Sequence, residues 1–172
     1  GSGQFDVTGP IDGTPLAYRV IGEYQHEDYW RNFGKQKNSF INPSLTWFGE
    51  RATVNVSYSH RNYSTPFDRG TIFDLNTGHA VNVDRKTRFD EPFNITDGYS
   101  DLAQLNAEYR LSDAWTARFD YSYSQDHYND DQARVMAYDS ATGNLTRRVD
   151  ATHGSTQKMH ATRADLQGNV VI

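Results

Sequence analysis

Residues 115–124 read Trp-Thr-Ala-Arg-Phe-Asp-Tyr-Ser-Tyr-Ser, and one set of side chains alternates with another along the whole stretch. Trp115, Phe119 and Tyr123 belong to an apolar, aromatic set, whereas Arg118 and Asp120 belong to a polar set. A period of two residues indicates a β-strand, because successive side chains leave opposite faces of the pleat. This strand therefore has one apolar face and one wet face.

The same alternation recurs in five other long segments. The predicted full strands, including the one above, span residues 16–26, 38–48, 51–62, 101–111, 115–125 and 157–172. A further strand contributes only its tail, at residues 4–8. Pro43 predicts a local irregularity in the second full strand, because proline cannot donate a ladder hydrogen bond.

The connections between the predicted strands alternate in length. Short turns lie at residues 9–15, 49–50 and 112–113, and longer polar connections lie at 27–37, 63–100 and 126–156. Within the last connection, residues 132–138 and 145–150 are predicted to form a hairpin that projects beyond the membrane. Short turns on one side and long loops on the other are typical of transmembrane β-barrels of the outer membrane.

The composition agrees with a barrel and excludes several other classes. Only 36% of the residues are hydrophobic, yet 13% are aromatic, which suits strands that meet lipid with every second side chain. No apolar run approaches the roughly 20 residues of a membrane-spanning helix. The chain has no cysteine, and its net charge of −5 without a basic block argues against nucleic acid as a partner. Aromatic side chains near the short turns predict a belt at the lipid headgroups: Tyr18, Trp47, Tyr109 and Trp115.

Several stretches follow one another in a recognisable order. Residues 5–13 read Phe-Asp-Val-Thr-Gly-Pro-Ile-Asp-Gly and lead into Leu-Ala-Tyr-Arg-Val at 16–20. Later come Pro-Phe-Asp-Arg-Gly-Thr-Ile-Phe at 66–73, Phe-Asn-Ile-Thr-Asp-Gly-Tyr at 93–99 and Ala-Glu-Tyr-Arg-Leu-Ser-Asp-Ala-Trp at 107–115. Together these stretches resemble TonB-dependent ferric-siderophore receptors, and the ferric hydroxamate type is the nearest branch.

This resemblance implies a 22-stranded barrel of the bacterial outer membrane that encloses an N-terminal plug domain. It also implies that TonB supplies energy by contacting a short box ahead of the plug. Residues 1–172 show neither a plug nor a TonB box, and their strands are too few for the whole wall. We therefore expect an antiparallel barrel segment of about six full strands, a partial strand and an extracellular hairpin, from the N-terminal half of a larger barrel.

The implied ligand is a ferric siderophore, which arrives with its iron already chelated. Aromatic walls and a few polar groups suit such a bulky chelate. The expected contacts lie where strands leave the membrane on the long-loop side: Tyr63, Phe67, His127 and Tyr128. Tyr29, Trp30 and Phe33 are weaker candidates that could simply pack a loop. The expected partners are the plug, the remaining strands, TonB through the plug, and outer-membrane lipid, with phages or bacteriocins as further candidates.

Neither catalysis nor metal ligation by protein side chains is expected. The six histidines lack metal-binding spacing, and the aspartates around His127 lack the spacing of a calcium loop. Opposite charges two residues apart, such as Arg118 and Asp120, are best interpreted as wall charges that face a plug or water.

Two other classes remain open on the sequence alone. A small self-contained outer-membrane barrel, acting as an adhesin or a structural protein, would need about eight strands. A soluble β-sandwich that binds a partner would also show alternating strands and cross-strand aromatic pairs.

Overall fold

Seven antiparallel strands form one sheet, in chain order, in the computed structural model, which describes residues 1–168. The strands are β1 (Ser2–Ile11), β2 (Leu16–Asp28), β3 (Lys35–Phe48), β4 (Ala52–Pro66), β5 (Ile95–Arg110), β6 (Trp115–Asp139) and β7 (Asn144–Gly168). This sheet confirms the all-β antiparallel fold predicted from the alternation. The last four residues of the predicted final strand, 169–172, lie outside the described residues. Within residues 1–168, no helix is long and apolar enough to cross a membrane.

The strand register places like side chains opposite one another across the whole sheet. On the apolar face, Leu45 pairs with Val56, and Leu105 pairs with Tyr121. On the polar face, one row crosses four strands and contains Asn55, Asn106, Asp120 and Arg163. A slip of one residue would exchange the two faces, so the period of two fixes the register.

The two ends of the sheet differ as predicted. Three short turns lie at one end, called the turn end below, at residues 12–15, 49–51 and 111–114. The other end, called the outer end, has connections at 29–34, 67–94 and 140–143. The four predicted belt residues, Tyr18, Trp47, Tyr109 and Trp115, all pair across the apolar face near the turn end.

The predicted loop at 126–156 is wrong. β6 and β7 are 25 residues long each and pair continuously through this region, with register shifts near Asn129 and Met136. The predicted hairpin is simply their outer end, and the predicted strand tail at residues 4–8 lies within β1, which covers 10 residues. The sequence hides this extension because apolar and polar side chains no longer alternate there, as in Asp-His-Tyr-Asn-Asp-Asp-Gln at residues 126–132.

Proline interrupts the ladder where the sequence predicted it would. β3 and β4 pair from Lys37 to Ile41 and again from Ser44 to Phe48, but Asn42 and Pro43 have no partner in β4. The register is the same on both sides of the gap, so the irregularity is local.

Most of the sheet is a single exposed layer. Ala133 is the sole buried hydrophobic residue in the described part of the chain. The accessible surface is 11613 Å², against roughly 8,600 Å² expected for a compact monomer of this mass. β1 and β7 each have one neighbouring strand, so residues 1–168 form an open sheet rather than a closed small barrel or a two-layer sandwich.

Candidate functional site

Two of the predicted ligand contacts share the polar face at the outer end. Tyr63 of β4 and Tyr128 of β6 both pair with Gly98 of β5, so the three residues form one row across the sheet. A Cβ atom at position 98 would lie 2.9 Å from the Cα atom of Tyr128 and 3.0 Å from the hydroxyl oxygen of Tyr63. It would also overlap the carbonyl oxygen of His127, so glycine is required for the close approach of the β6 backbone to β5. Gly98 was missed because the sequence assigned it to a loop.

His127 lies on the opposite face from Tyr128. Its ring stacks on Tyr99 with 5.1 Å between the ring centroids, and Tyr99 in turn stacks on His60 at 6.1 Å. Nδ1 of His127 is 3.0 Å from the hydroxyl oxygen of Thr156 on β7. The structure thus separates His127 from Tyr128, because neighbouring residues of a strand point to opposite faces.

Phe67 begins the long connection between β4 and β5. Its N–H donates to the carbonyl oxygen of Asn94 at 2.8 Å, and the Arg69 guanidinium lies 4.9 Å from the centre of its ring. Phe67 is half-buried at the base of the loop, and its ring helps to hold Arg69 in place.

Two buried ion pairs organise the long connection. Arg31 reaches Asp68 at 2.9 Å, with side chains only 5% and 8% exposed, and also donates to the carbonyl oxygen of Thr87. Arg88 reaches Asp90 at 2.7 Å. Burial raises the pKa of Asp68, but hydrogen bonds from the Gly70 N–H and from Arg31 outweigh it and leave the pKa below its ordinary value. Loop residues 67–94 therefore form a folded unit.

The weaker aromatic candidates lie in the 29–34 connection and pack against this folded unit. The Arg88 guanidinium lies 4.6 Å from the ring centre of Phe33 and 5.6 Å from that of Tyr29, and it donates to the carbonyl oxygen of Phe33. Phe33 has a positive φ of 46°, a conformation that a bulky residue rarely adopts. Trp30 is exposed and packs near Arg31, at 5.5 Å from its guanidinium.

Asn94 fastens the loop to the outer end of β6. Its side-chain oxygen accepts from the N–H of Ala133 at 2.6 Å, and its amide nitrogen donates to the carbonyl oxygen of Ala133 at 3.1 Å. The side chain is fully buried, at 1% exposure. One asparagine thus takes the place of a strand neighbour just beyond the last β5–β6 pair.

A second contact lies farther out along β6. The Asp74 carboxylate accepts hydrogen bonds from the N–H and hydroxyl of Ser140 and from the hydroxyl of Thr77. Burial raises the pKa of Asp74, but these bonds lower it more strongly, so its pKa lies well below the ordinary value. We call residues 67–94 together with residues 132–147 the cap.

The charged pairs of the polar face are exposed. Arg118 contacts Glu108 across β5 and β6 at 2.9 Å, with side chains 48% and 53% exposed. Arg163 contacts Asp165 at 2.6 Å. Within residues 1–168, no three His, Asp or Glu side chains are grouped closely enough to hold a metal ion.

No protein-family model and no curated protein matches the chain. Solved structures do. The ferric-catecholate import receptor Fiu of E. coli K12, in its open form, matches 99% of the chain with a TM-score of 0.82 at 19% identity. The ferripyoverdine receptor of the outer membrane of Pseudomonas aeruginosa matches 96% with a TM-score of 0.85 at 14% identity. BauA, the ferric preacinetobactin receptor of Acinetobacter baumannii, matches 99% with a TM-score of 0.85 at 20% identity.

The chain spans 29%, 23% and 26% of the length of these three receptors, respectively. At such low identity the likeness shows the fold. The seven-stranded sheet has the architecture of part of a siderophore-receptor structure, and the matched proteins are receptors rather than enzymes.

Proposed function

We propose that these residues form part of the wall of a bacterial outer-membrane receptor that binds ferric siderophores and imports them. The observation that carries the proposal is the match of nearly the whole chain, 99% of it, to receptors of this kind. The chemistry of the two faces agrees with it. The apolar face meets lipid, and the polar face lines the interior of a barrel.

The polar face also suits a plug domain. Its charged pairs, such as Glu108 with Arg118, are exposed and can bond to a domain inside the barrel. The resemblance of the sequence to TonB-dependent receptors supplies the rest of the mechanism: the plug moves when TonB pulls on it, and the bound chelate passes inward. In this mechanism the protein contributes no metal ligands, because the iron stays in its chelate.

Tyr63, Tyr128 and Phe67 are the proposed ligand contacts. Tyr63 and Tyr128 present two aromatic rings and two hydroxyl groups on the face that would look into the outer vestibule. Phe67 stands at the base of the cap beside Arg69. His127 faces the lipid side in this arrangement, where its stacking on Tyr99 suits the aromatic belt of a barrel.

A second, narrower proposal concerns the chemical class of the siderophore. The sequence resemblance favours a ferric hydroxamate, whereas the matched structures bind ferric catecholate, ferripyoverdine and ferric preacinetobactin. A hydroxamate ligand therefore rests on the sequence motifs alone.

Growth on defined iron sources tests the proposal. A receptor-null strain that carries the full-length parent protein should grow on at least one ferric siderophore, and growth equal to the null strain on every chelate would contradict import. Tyr128→Ala should then weaken binding of that chelate about tenfold, since a ring that packs against a ligand contributes about 1–2 kcal/mol. His127→Ala is the matched control, because it changes the adjacent residue on the other face; equal losses in both variants would remove Tyr128 from the site.

A further inference from the structure

A cavity of about 460 Å³ separates the loop of the cap from the outer end of β6. Loop residues 68–75 form one wall and residues 133–137 of β6 form the other. Along β6 the cavity lies between two points where the loop is fastened: Asn94 bonds to Ala133, and the Leu75 N–H donates to the carbonyl oxygen of Tyr138 at 2.8 Å. Its volume lies within the range of small-molecule sites, roughly 300–1,000 Å³.

One wall of this cavity is a free strand edge. The β5–β6 ladder ends where Ile95 pairs with Asp131, and Asn94 then takes both backbone groups of Ala133 on the β5 side. Backbone groups of a strand turn to alternate sides, so Val135 directs its N–H and carbonyl oxygen to the same side as Ala133. Across the described part of the chain, no strand pairs with Val135 there.

We propose that this cavity binds an extended, amide-bearing segment of the ligand, which pairs with the β6 edge at Val135. The inference rests on the proposed function and deepens it, because it selects ferric chelates that carry secondary amides, such as a peptide backbone. An N–H and a carbonyl oxygen on one side of Val135 are complementary to the two groups of an amide, as in strand addition to a sheet edge.

The two fastened points favour a small ligand over a protein strand as the occupant of the cavity. Only four residues, 134–137, lie between the two fastened points, which corresponds to roughly 13 Å at about 3.3 Å per residue. A strand of a partner protein would have to run past Asn94 or Leu75 to pair along this edge. An arm of a chelate fits between them.

The remaining lining favours an uncharged, acceptor-rich segment over a cation. The lining carboxylates, Asp68 and Asp90, are each neutralised by a buried arginine behind the wall. Arg69 lines the cavity beside the Phe67 ring; its Nε and Nη2 donate to the Gln132 side-chain oxygen, which leaves Nη1 to donate to a ligand oxygen. Apolar surface comes from Ile72, Phe73 and Phe89.

Two substitutions of different kinds test the pairing edge in the full-length receptor. Val135→Pro removes the N–H that faces the cavity. Val149→Pro is its matched control. Val149 pairs with Ala133, and because the backbone groups of Ala133 face away from β7, those of Val149 face away from β6. The N–H that this control removes therefore lies outside the cavity. Thr71→Trp fills the cavity with a side chain from the loop wall, and Thr146→Trp places the same side chain on an exposed residue of β7 outside the cavity.

The probes are a peptidic ferric trihydroxamate and ferric tris(N-methylacetohydroxamate), which has the same kind of iron centre and no secondary amide. We expect the unaltered receptor to bind the peptidic chelate more tightly. Val135→Pro and Thr71→Trp should each weaken that binding about three- to tenfold, as expected for lost hydrogen bonds. The two control variants should stay within about twofold of the unaltered receptor, and no variant should change binding of the amide-free chelate.

The outcomes separate this inference from the proposed function. Equal affinity of all four variants for the peptidic chelate, or equal affinity of the unaltered receptor for both chelates, would overturn the pairing edge alone. Failure of the unaltered receptor to bind any ferric chelate would overturn the proposed function itself. Because Thr71→Trp leaves the backbone of β6 unchanged, it decides the matter even if Val135→Pro disturbs the cap.

Discussion

The sheet near its turn end and the cap at its outer end are stabilised in opposite ways. Near the turn end, apolar side chains such as Val56 and Trp47 are exposed, and the ion pair of Glu108 with Arg118 faces water. At the outer end, in contrast, the ion pair of Arg31 with Asp68, which joins the 29–34 connection to the cap, is almost completely buried.

This difference shows what each region needs from its surroundings. The sheet near the turn end buries little by itself and leaves an apolar face and two strand edges exposed, so its stability depends on its surroundings. The cap instead joins its own polar groups, through the buried pair of Arg88 with Asp90 and the bonds of Asn94 and Asp74. A folded cap can hold the cavity wall at a fixed distance from β6.

Breaking the buried ion pair should have the largest effect. Arg31→Met leaves the Asp68 carboxylate buried without its cation, which costs about 3–5 kcal/mol. Limited proteolysis of the full-length protein should then cut within residues 67–94 much faster. The double variant Arg31→Met with Asp68→Leu should regain most of the protection; a double variant as labile as the single one would show that the charge is not the cause.

A charge on the apolar face should have the next largest effect, and only in the sheet near the turn end. Val56→Arg places a guanidinium near the middle of the apolar band, at a cost of about 2–4 kcal/mol for folding into a bilayer. Ser57→Arg puts the same group on the polar face and should cost little. Urea titration of folding into lipid vesicles measures the free energy of folding of both variants. Equal losses would mean that the two faces meet the same environment.

Removal of the Asn94 side chain should loosen the cap by less than the loss of Arg31. Asn94→Ala leaves the N–H and carbonyl oxygen of Ala133 buried without partners, at a cost of about 2–3 kcal/mol. Hydrogen exchange at Ala133 should accelerate accordingly. Asn32→Ala, at an exposed position of the neighbouring loop, should leave that exchange unchanged; a similar acceleration there would point to a general loosening.

Acid should weaken the cap to a smaller degree. The pKa values of Asp68 and Asp74 lie below the value of about 3.9 for an unfolded aspartate, since hydrogen bonds to the charged form outweigh burial. Their contribution is therefore present above about pH 4 and is lost as the pH falls through the folded pKa. Cleavage of the cap by an acid-active protease should rise below pH 4, and Asp74→Asn should flatten that rise. Cleavage that instead rises as the pH is raised would contradict this direction of the pH dependence.

The same two regions differ in how much of them the sequence reveals. Alternation identifies the strands near the turn end, their faces and the irregularity at Pro43, because apolar side chains occupy only one face of each strand there. The cap follows no period, so the bonds of Asn94 to Ala133 and of Asp74 to Ser140 cannot be inferred from spacing. The same loss of pattern hid the outer halves of β6 and β7, and with them the placement of His127 and Tyr128 on opposite faces.

Cysteine scanning along β6 tests the central claim, that the two faces of this sheet meet lipid and the barrel interior. Residues 1–172 contain no cysteine, so single substitutions among them can be labelled in intact cells with a membrane-impermeant maleimide, with the unsubstituted protein as the background. We predict that Asp126→Cys and Tyr128→Cys are labelled and that a bound ferric siderophore protects Tyr128→Cys, whereas Ala117→Cys and Phe119→Cys, facing lipid, resist the reagent. Labelling of positions 117 and 119 as fast as positions 126 and 128 would contradict the barrel-wall account.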